Sequence, residues 1–257
     1  MDDFEGKVAV VMGASTEGGM GQATARRLAR HGARVVVSGL GAAPLEALAK
    51  EIGGSALEAD ITDRAGVRNL VDHAVTRFGG LHIAANLAGL ADRCPVDEID
   101  EEHLLKMTKV NYFGTVWFVQ AVAEKIVDGG AIVSISSLSA YDHSGGIAAY
   151  AAAKRAADRF IQAAAVEYRA KRLRINTIIP STNDTNMLRK GIAQYGYDFD
   201  EFTKPFIDLT PLGRLSGPGD IAAMVHMMLR DEFFETGQCW PCTGGNALLG
   251  HPRGLLL

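Results

Sequence analysis

Short apolar runs recur along the chain, and most are followed by a stretch with apolar residues at helical spacing. The runs are KVAVVM (7–12), ARVVVSG (33–39), SALEAD (55–60), LHIAAN (81–86), GAIVSIS (130–136), RINTIIP (174–180) and GQCWPC (237–242). Their Val and Ile content and bounded length predict buried parallel strands. The amphipathic stretches lie at about 20–31, 43–52, 63–78, 97–127, 148–171 and 218–230. This alternation predicts an α/β chain: an open, doubly wound, seven-stranded parallel sheet with helices on both faces. Ligands of such sheets sit beyond the carboxyl ends of the strands, so chemistry is expected just after each run.

Composition narrows this little. A chain of 257 residues, 47% hydrophobic, fits one large domain, and no linker or repeat divides it, so a single domain over 1–257 is expected. The net charge of −4 argues against a nucleic-acid partner. No run approaches a membrane span, and the opening MDDFEGK is acidic, unlike a signal peptide. A cytoplasmic protein is expected. Three cysteines, Cys94, Cys239 and Cys242, do not suggest a disulfide framework. CWPC has redox spacing, but it falls in a strand, where residues three apart face opposite ways, and no helix N-terminus follows to activate a thiol.

The stretch GASTEGGMG, 13–21, lies between the first strand and the first helix. Its spacing is Gly-x5-Gly-x-Gly, wider than the common dinucleotide fingerprint. Its last glycines, Gly19 and Gly21, flank Met20 and open the helix, where free amides and the helix dipole favour a pyrophosphate.

Tyr150 and Lys154 are four residues apart on one predicted helical face. A lysine beside a phenol is expected to lower the tyrosine pKa, readying it to exchange a proton with an alcohol oxygen. Ser137, at a strand end, is placed to hydrogen-bond the same oxygen, and Asn111 to hold a water linking Lys154 to solvent. Alone, each has a plain alternative: a solvated lysine, a packing tyrosine, a turn serine, an unremarkable helix asparagine.

Together these residues resemble the short-chain dehydrogenase/reductase family, of Rossmann-type fold, over nearly the full chain. Tyr-x-x-x-Lys is Tyr150 and Lys154, the serine thirteen residues earlier is Ser137, and Val-Asn-x-x-Gly holds Asn111. Asn86-Leu87-Ala88-Gly89 stands for Asn-Asn-Ala-Gly, with Leu in the second place. PLGRLSGPGDIAAMV (211–225) and TGQ (236–238) resemble the family's C-terminal region. The resemblance implies hydride transfer between a nicotinamide cofactor and a secondary alcohol or ketone. Tyr150 would be the acid/base, Ser137 would stabilise the oxygen, Lys154 would bind the nicotinamide ribose, and Asn111 would complete a proton relay. No metal is needed. No His forms HExxH or a similar close pair, so all seven are expected on the surface or in packing, with His143 near the substrate pocket. A homotetramer or dimer is implied, packing through the helices at 97–127 and 148–171.

The family's cofactor positions fall on Gly13, Ser15, Thr16, Gly19, Met20 and Gly21, on Gly39 and Leu40, and on Asn86, Ala88 and Gly89. Asp60 matches the adenine-binding Asp, with Ile61 expected on the ring, although a helix-cap role is the simpler alternative. Pro180 and Thr185 match the carboxamide contacts, with Ser181 and Asn183 departing from the pattern. NAD(H) is favoured over NADP(H). Leu40 stands where a phosphate-binding Arg is common, and Glu17 is expected to bulge over the ribose with the widened loop. Gly39, however, lacks the acid usual for NAD.

Residues 186–210 are expected to form a substrate lid, with Tyr195, Tyr197, Phe199, Phe202 and Phe206 either lining an apolar pocket or packing the lid onto the body. Rival readings are a 3-oxoacyl-carrier-protein reductase, an enoyl reductase and a non-catalytic nucleotide sensor. Enoyl reductases share a wide glycine loop but use Tyr-x6-Lys, and that place holds Ile147.

Overall fold

The computed structural model describes residues 3–142, 145–194 and 196–250. Seven parallel strands form one sheet in the order β3-β2-β1-β4-β5-β6-β7. They are β1 Val8–Met12, β2 Arg34–Ser38, β3 Ser55–Ala56, β4 Ile83–Asn86, β5 Ala131–Ile135, β6 Arg174–Pro180 and β7 Cys239–Cys242. All predicted strands form, but β3 keeps two residues of SALEAD, because only Ser55 and Ala56 pair with β2.

β1 and β5 are buried at every position. Alternate β1 side chains feed opposite cores, as the pleat requires. Val8, Val10 and Met12 pack with helices α3 Arg64–Phe78, α5 Gly114–Lys125 and α6 Ala148–Glu167. Ala9 and Val11 pack with α1 Met20–Arg30, α2 Ala42–Ile52 and α9 Pro218–Leu229. The order reverses between β1 and β4, and the crevice above that point is where ligands bind.

The long helix expected over 97–127 is broken. α4 Glu101–Thr108 runs into a π-helical turn, Lys109–Phe113, before α5 begins. The expected lid resolves into α7 Asn186–Gln194 and α8 Phe199–Asp208. A short α10, Asn246–Leu249, follows β7. Among the described residues no helix is long and apolar enough to cross a membrane.

Candidate active site

The glycine loop is shaped by what it excludes. Gly13 has φ +88°, and a Cβ there would lie 2.5 Å from the Ala88 nitrogen. A Cβ on Gly21 would run into the Gly13 carbonyl, and one on Gly19 would lie 2.9 Å from the Thr16 carbonyl. The first turn of α1 therefore sits directly on the end of β1. Its N-cap, Gly19, brings no side-chain cap, and no acid occupies the first turn. Those free amides suit a pyrophosphate. Ser15 Oγ is buried without a partner and lies where a side chain on Gly39 would go. An orphaned hydroxyl at the end of β2 is what a ribose would satisfy, so the loop fits a dinucleotide.

The widened part of the loop does not go where the sequence suggested. The Glu17 carbonyl accepts from Asn186 Nδ2 at 2.8 Å, at the start of α7. A Cβ on Gly18 would meet the same Asn186 amide. The added residues thus turn toward the lid, while Ser15 stays at the β2 end. The acid found at that end is Glu58, just past β3, whose Oε1 accepts from the Gly41 nitrogen at 2.6 Å. Sequence reading missed Glu58, since its partner Gly41 is 17 residues away, at the N-cap of α2. Leu40 beside it is exposed.

Asp60 is exposed and accepts from the nitrogen and hydroxyl of Thr62, both at 2.8 Å. The cap of α3 is Asp63, which accepts from Ala65, so Asp60 is not the cap. Ile61 departs from expectation: its side chain is buried in the core against Gly114. Asn86 braces its own loop, Oδ1 accepting from Ala88 at 3.2 Å. Pro180 ends β6, and Thr185 Oγ1 accepts from Leu188 at 3.2 Å, in the first turn of α7. Ser181 donates to Asn246, and Asn183 donates to the Ser181 carbonyl.

All four catalytic candidates are brought to one edge. Ser137 follows β5; its Oγ donates to Ser139 Oγ at 3.1 Å and accepts from the Ser139 nitrogen at 3.2 Å, and it is close enough to the Tyr150 phenol, near the start of α6, to lower that group's pKa. Lys154, one turn on, is buried and donates to the Ile135 carbonyl at 2.9 Å. Its Nζ lies 5.9 Å from the centre of the Tyr150 ring. Gly89 borders the same spot, since a Cβ there would lie 3.2 Å from Lys154 Nζ and 3.4 Å from Asn111 Oδ1.

Two expectations change here. The first is that Lys154 lowers the Tyr150 pKa. Burial pushes that phenol up, the Ser137 hydroxyl pulls it down, and the nearby Asp158 charge pushes it up again. Lys154 is spent on the Ile135 carbonyl instead, and burial brings its own pKa down to about 8. The second concerns Asn111. It is fully buried in the π-turn, donates to the carbonyls of Leu90 and Met107, and accepts from the Leu90 nitrogen. Its side chain ties the loop after β4 to α4.

His143 and Tyr195 lie outside the described residues. In the lid, Phe202 and Phe206 stack at 5.9 Å, Tyr197 packs on Phe202, and Arg189 covers Phe199 at 3.8 Å. These aromatics pack largely on the lid itself. The cysteines are free, and burial pushes both CWPC thiols up, the reverse of redox activation. One close histidine pair does form. His31 and His226 stack edge-on at 4.3 Å, with Asp3 2.7 Å from His226. They come from distant parts of the sequence, so no local motif announces them.

The family profile matching residues 13–246 is described as "Enoyl-(Acyl carrier protein) reductase". A diacetyl reductase [(S)-acetoin forming] of Staphylococcus epidermidis is 30% identical, covering 93% of this chain and 98% of its own. A cyclohexanol dehydrogenase of Acinetobacter is 31% identical, covering 94% and 95%. A short-chain type dehydrogenase/reductase from Mycobacterium ulcerans superposes with TM-score 0.89 at 28% identity, covering 97% of this chain and 93% of its own.

Proposed function

Within the short-chain dehydrogenase/reductase family, to which this oxidoreductase belongs, we propose that it interconverts a small secondary alcohol and its ketone using NAD(H). The observation that carries the reading is the meeting of Ser137, Tyr150 and Lys154 beside Gly89 at the carboxyl edge of the sheet.

NAD(H), when bound, supplies or accepts the hydride. The chain does the rest. Tyr150 holds a proton at its phenol oxygen and passes it to or from the substrate oxygen. Ser137 hydrogen-bonds that oxygen as charge develops. The buried Lys154 ammonium would hold the nicotinamide ribose. Asn111 fixes the loop that frames Lys154. Gly13, Thr16, Gly19, Met20 and Gly21 would cradle the pyrophosphate, with Ser15 on the adenosine ribose and Asp60 at the adenine. Asn86, Ala88 and Gly89 would back the ribose ring, and Pro180 and Thr185 would meet the carboxamide.

Three features favour NAD(H) over NADP(H). Glu58 places a carboxylate beside Gly41, Leu40 offers no cation, and no Lys or Arg lies between Gly13 and Gly21. A 2′-phosphate there would meet like charge. The relatives' names, a diacetyl reductase and a cyclohexanol dehydrogenase, favour a small substrate. The molecule would work as a homotetramer or dimer in the cytoplasm.

The test is turnover on a panel of secondary alcohols with NAD. Tyr150→Phe should lower kcat by roughly 10²–10⁴-fold while NADH still binds. Unchanged oxidation by that variant would sink the mechanism.

A further inference from the structure

One buried acid lies behind the catalytic edge and is used by nothing so far. Asp158 is 3% exposed and Lys154 2%, and the two are one turn apart on α6. Side chains four apart share a helical face. Asp158 Oδ2 accepts from Ser136 Oγ at 2.7 Å and from Tyr141 OH at 2.9 Å. Ser136 immediately precedes Ser137, and Tyr141 closes the 3₁₀ turn Leu138–Ala140 that Ser137 caps. The carboxylate therefore grips both ends of the turn that carries Ser137 and holds it to the helix that carries Tyr150 and Lys154. Two hydroxyl donors on one oxygen are the environment of an ionised carboxylate, which only accepts.

We propose that Asp158 is a positioning residue for proton transfer: its carboxylate clamps the Ser137 turn to α6 and balances the charge of Lys154. This rests on the reading that Tyr150 and Lys154 carry that transfer.

The charged and titratable groups facing Asp158 are Lys154, Arg155 and Tyr150 on α6, Tyr141 on the turn, and Cys239 on β7. Arg155 stacks on the Tyr141 ring at 4.3 Å, closing the outer side. Burial holds the Asp158 carboxyl above its ordinary value, partly offset by its two hydroxyl donors and the cations Lys154 and Arg155. Its charge acts in one direction on both partners. It holds the Lys154 pKa up against burial, and it pushes the Tyr150 phenol up. Removing the charge lowers both, so every limb of the pH profile that they set moves to lower pH.

The experiment uses Asp158→Asn and Asp158→Glu in the full chain. Two quantities are read: kcat and KM for alcohol oxidation across pH, and the ultraviolet titration of the Tyr150 phenol. The second is obtained by difference from Tyr150→Phe in each background. It needs no turnover, so it decides on Asp158 even if no alcohol in the panel is oxidised.

In Asp158→Asn the kcat profile and the phenol titration should both move down by about one pH unit, with KM changed less than kcat. Asp158→Glu should restore both. If Asn leaves the hydroxyls unpaired and the chain unfolds, Asp158→Leu with Ser136→Ala and Tyr141→Phe removes charge and donors together. Replacing a buried polar set by apolar groups is often tolerated, and the same downward shift is expected. A uniform loss of kcat with an unshifted profile and titration would overturn the proposal.

Discussion

Glu58 Oε1 accepts the main-chain N–H of Gly41 at 2.6 Å, so a residue beyond β3 sets a carboxylate at the mouth of β2. The end of β2 has no acid of its own, only Gly39 and Leu40. If Glu58 is what repels a 2′-phosphate, Glu58→Gln keeps an acceptor for Gly41 and removes only the charge. NADH affinity should then change little, while NADPH affinity rises about tenfold, the scale of one screened charge contact. Fluorescence titration of both nucleotides checks this. An unchanged ratio would return the choice of cofactor to other residues.

Gly21 packs its Cα against the Gly13 carbonyl, and no side chain fits between them. Gly21→Ala must therefore push α1 off β1, at a cost of about 1–3 kcal/mol for overpacking. Thermal melting should show a lower Tm for this variant. It should also show less stabilisation by NADH than in the parent, because the displaced helix end no longer offers its amides to the pyrophosphate.

Asp220 sits in the first turn of α9. It accepts from the N-cap Gly217 nitrogen at 2.8 Å and from Arg214 at 2.6 and 2.9 Å. The Arg214 hydrogen bonds hold its carboxyl down at about 2. A depressed folded pKa means stability that is present above the ordinary value of 3.8 and lost as pH falls toward about 2. Both side chains are partly exposed, so screening keeps the effect small. Asp220→Asn should cost about 1 kcal/mol at neutral pH, as for a lost helix cap. It should also flatten part of the acid limb of stability in that window, read by urea denaturation at several pH values.

The fold was legible because buried parallel strands are continuous apolar runs, and all seven appear in the sheet. The candidate catalytic residues were legible because Tyr150 and Lys154 are local, Ser137 holds family spacing to the tyrosine, and Asn111 sits in a Val-Asn-x-x-Gly setting. What escaped depends on contacts across elements. Glu58 reads as an ordinary exposed acid until the chain brings Gly41 to it. Asp158 reads as a helix surface residue until Ser136 and Tyr141, 22 and 17 residues earlier, close over it. The Lys154–Tyr150 reading failed for a similar reason. Helical spacing put the two on one face, but the ammonium turned to the Ile135 carbonyl of the neighbouring strand.

The bond from Asn186 Nδ2 to the Glu17 carbonyl joins the first residue of α7 to the widened glycine loop, across 169 residues of sequence. It links the segment expected to be the lid to the proposed nucleotide loop. The donor is an exposed side chain, so the bond itself contributes little to global stability. Its expected effect is on how the lid and the nucleotide loop move together. Asn186→Ala should leave Tm within about 1 °C, a change too small for a core defect. It should raise the NADH dissociation rate several-fold, since lid opening commonly sets release. Stopped-flow displacement of NADH measures that rate directly. A variant that releases NADH at the parent rate would show that the widened loop acts independently of α7.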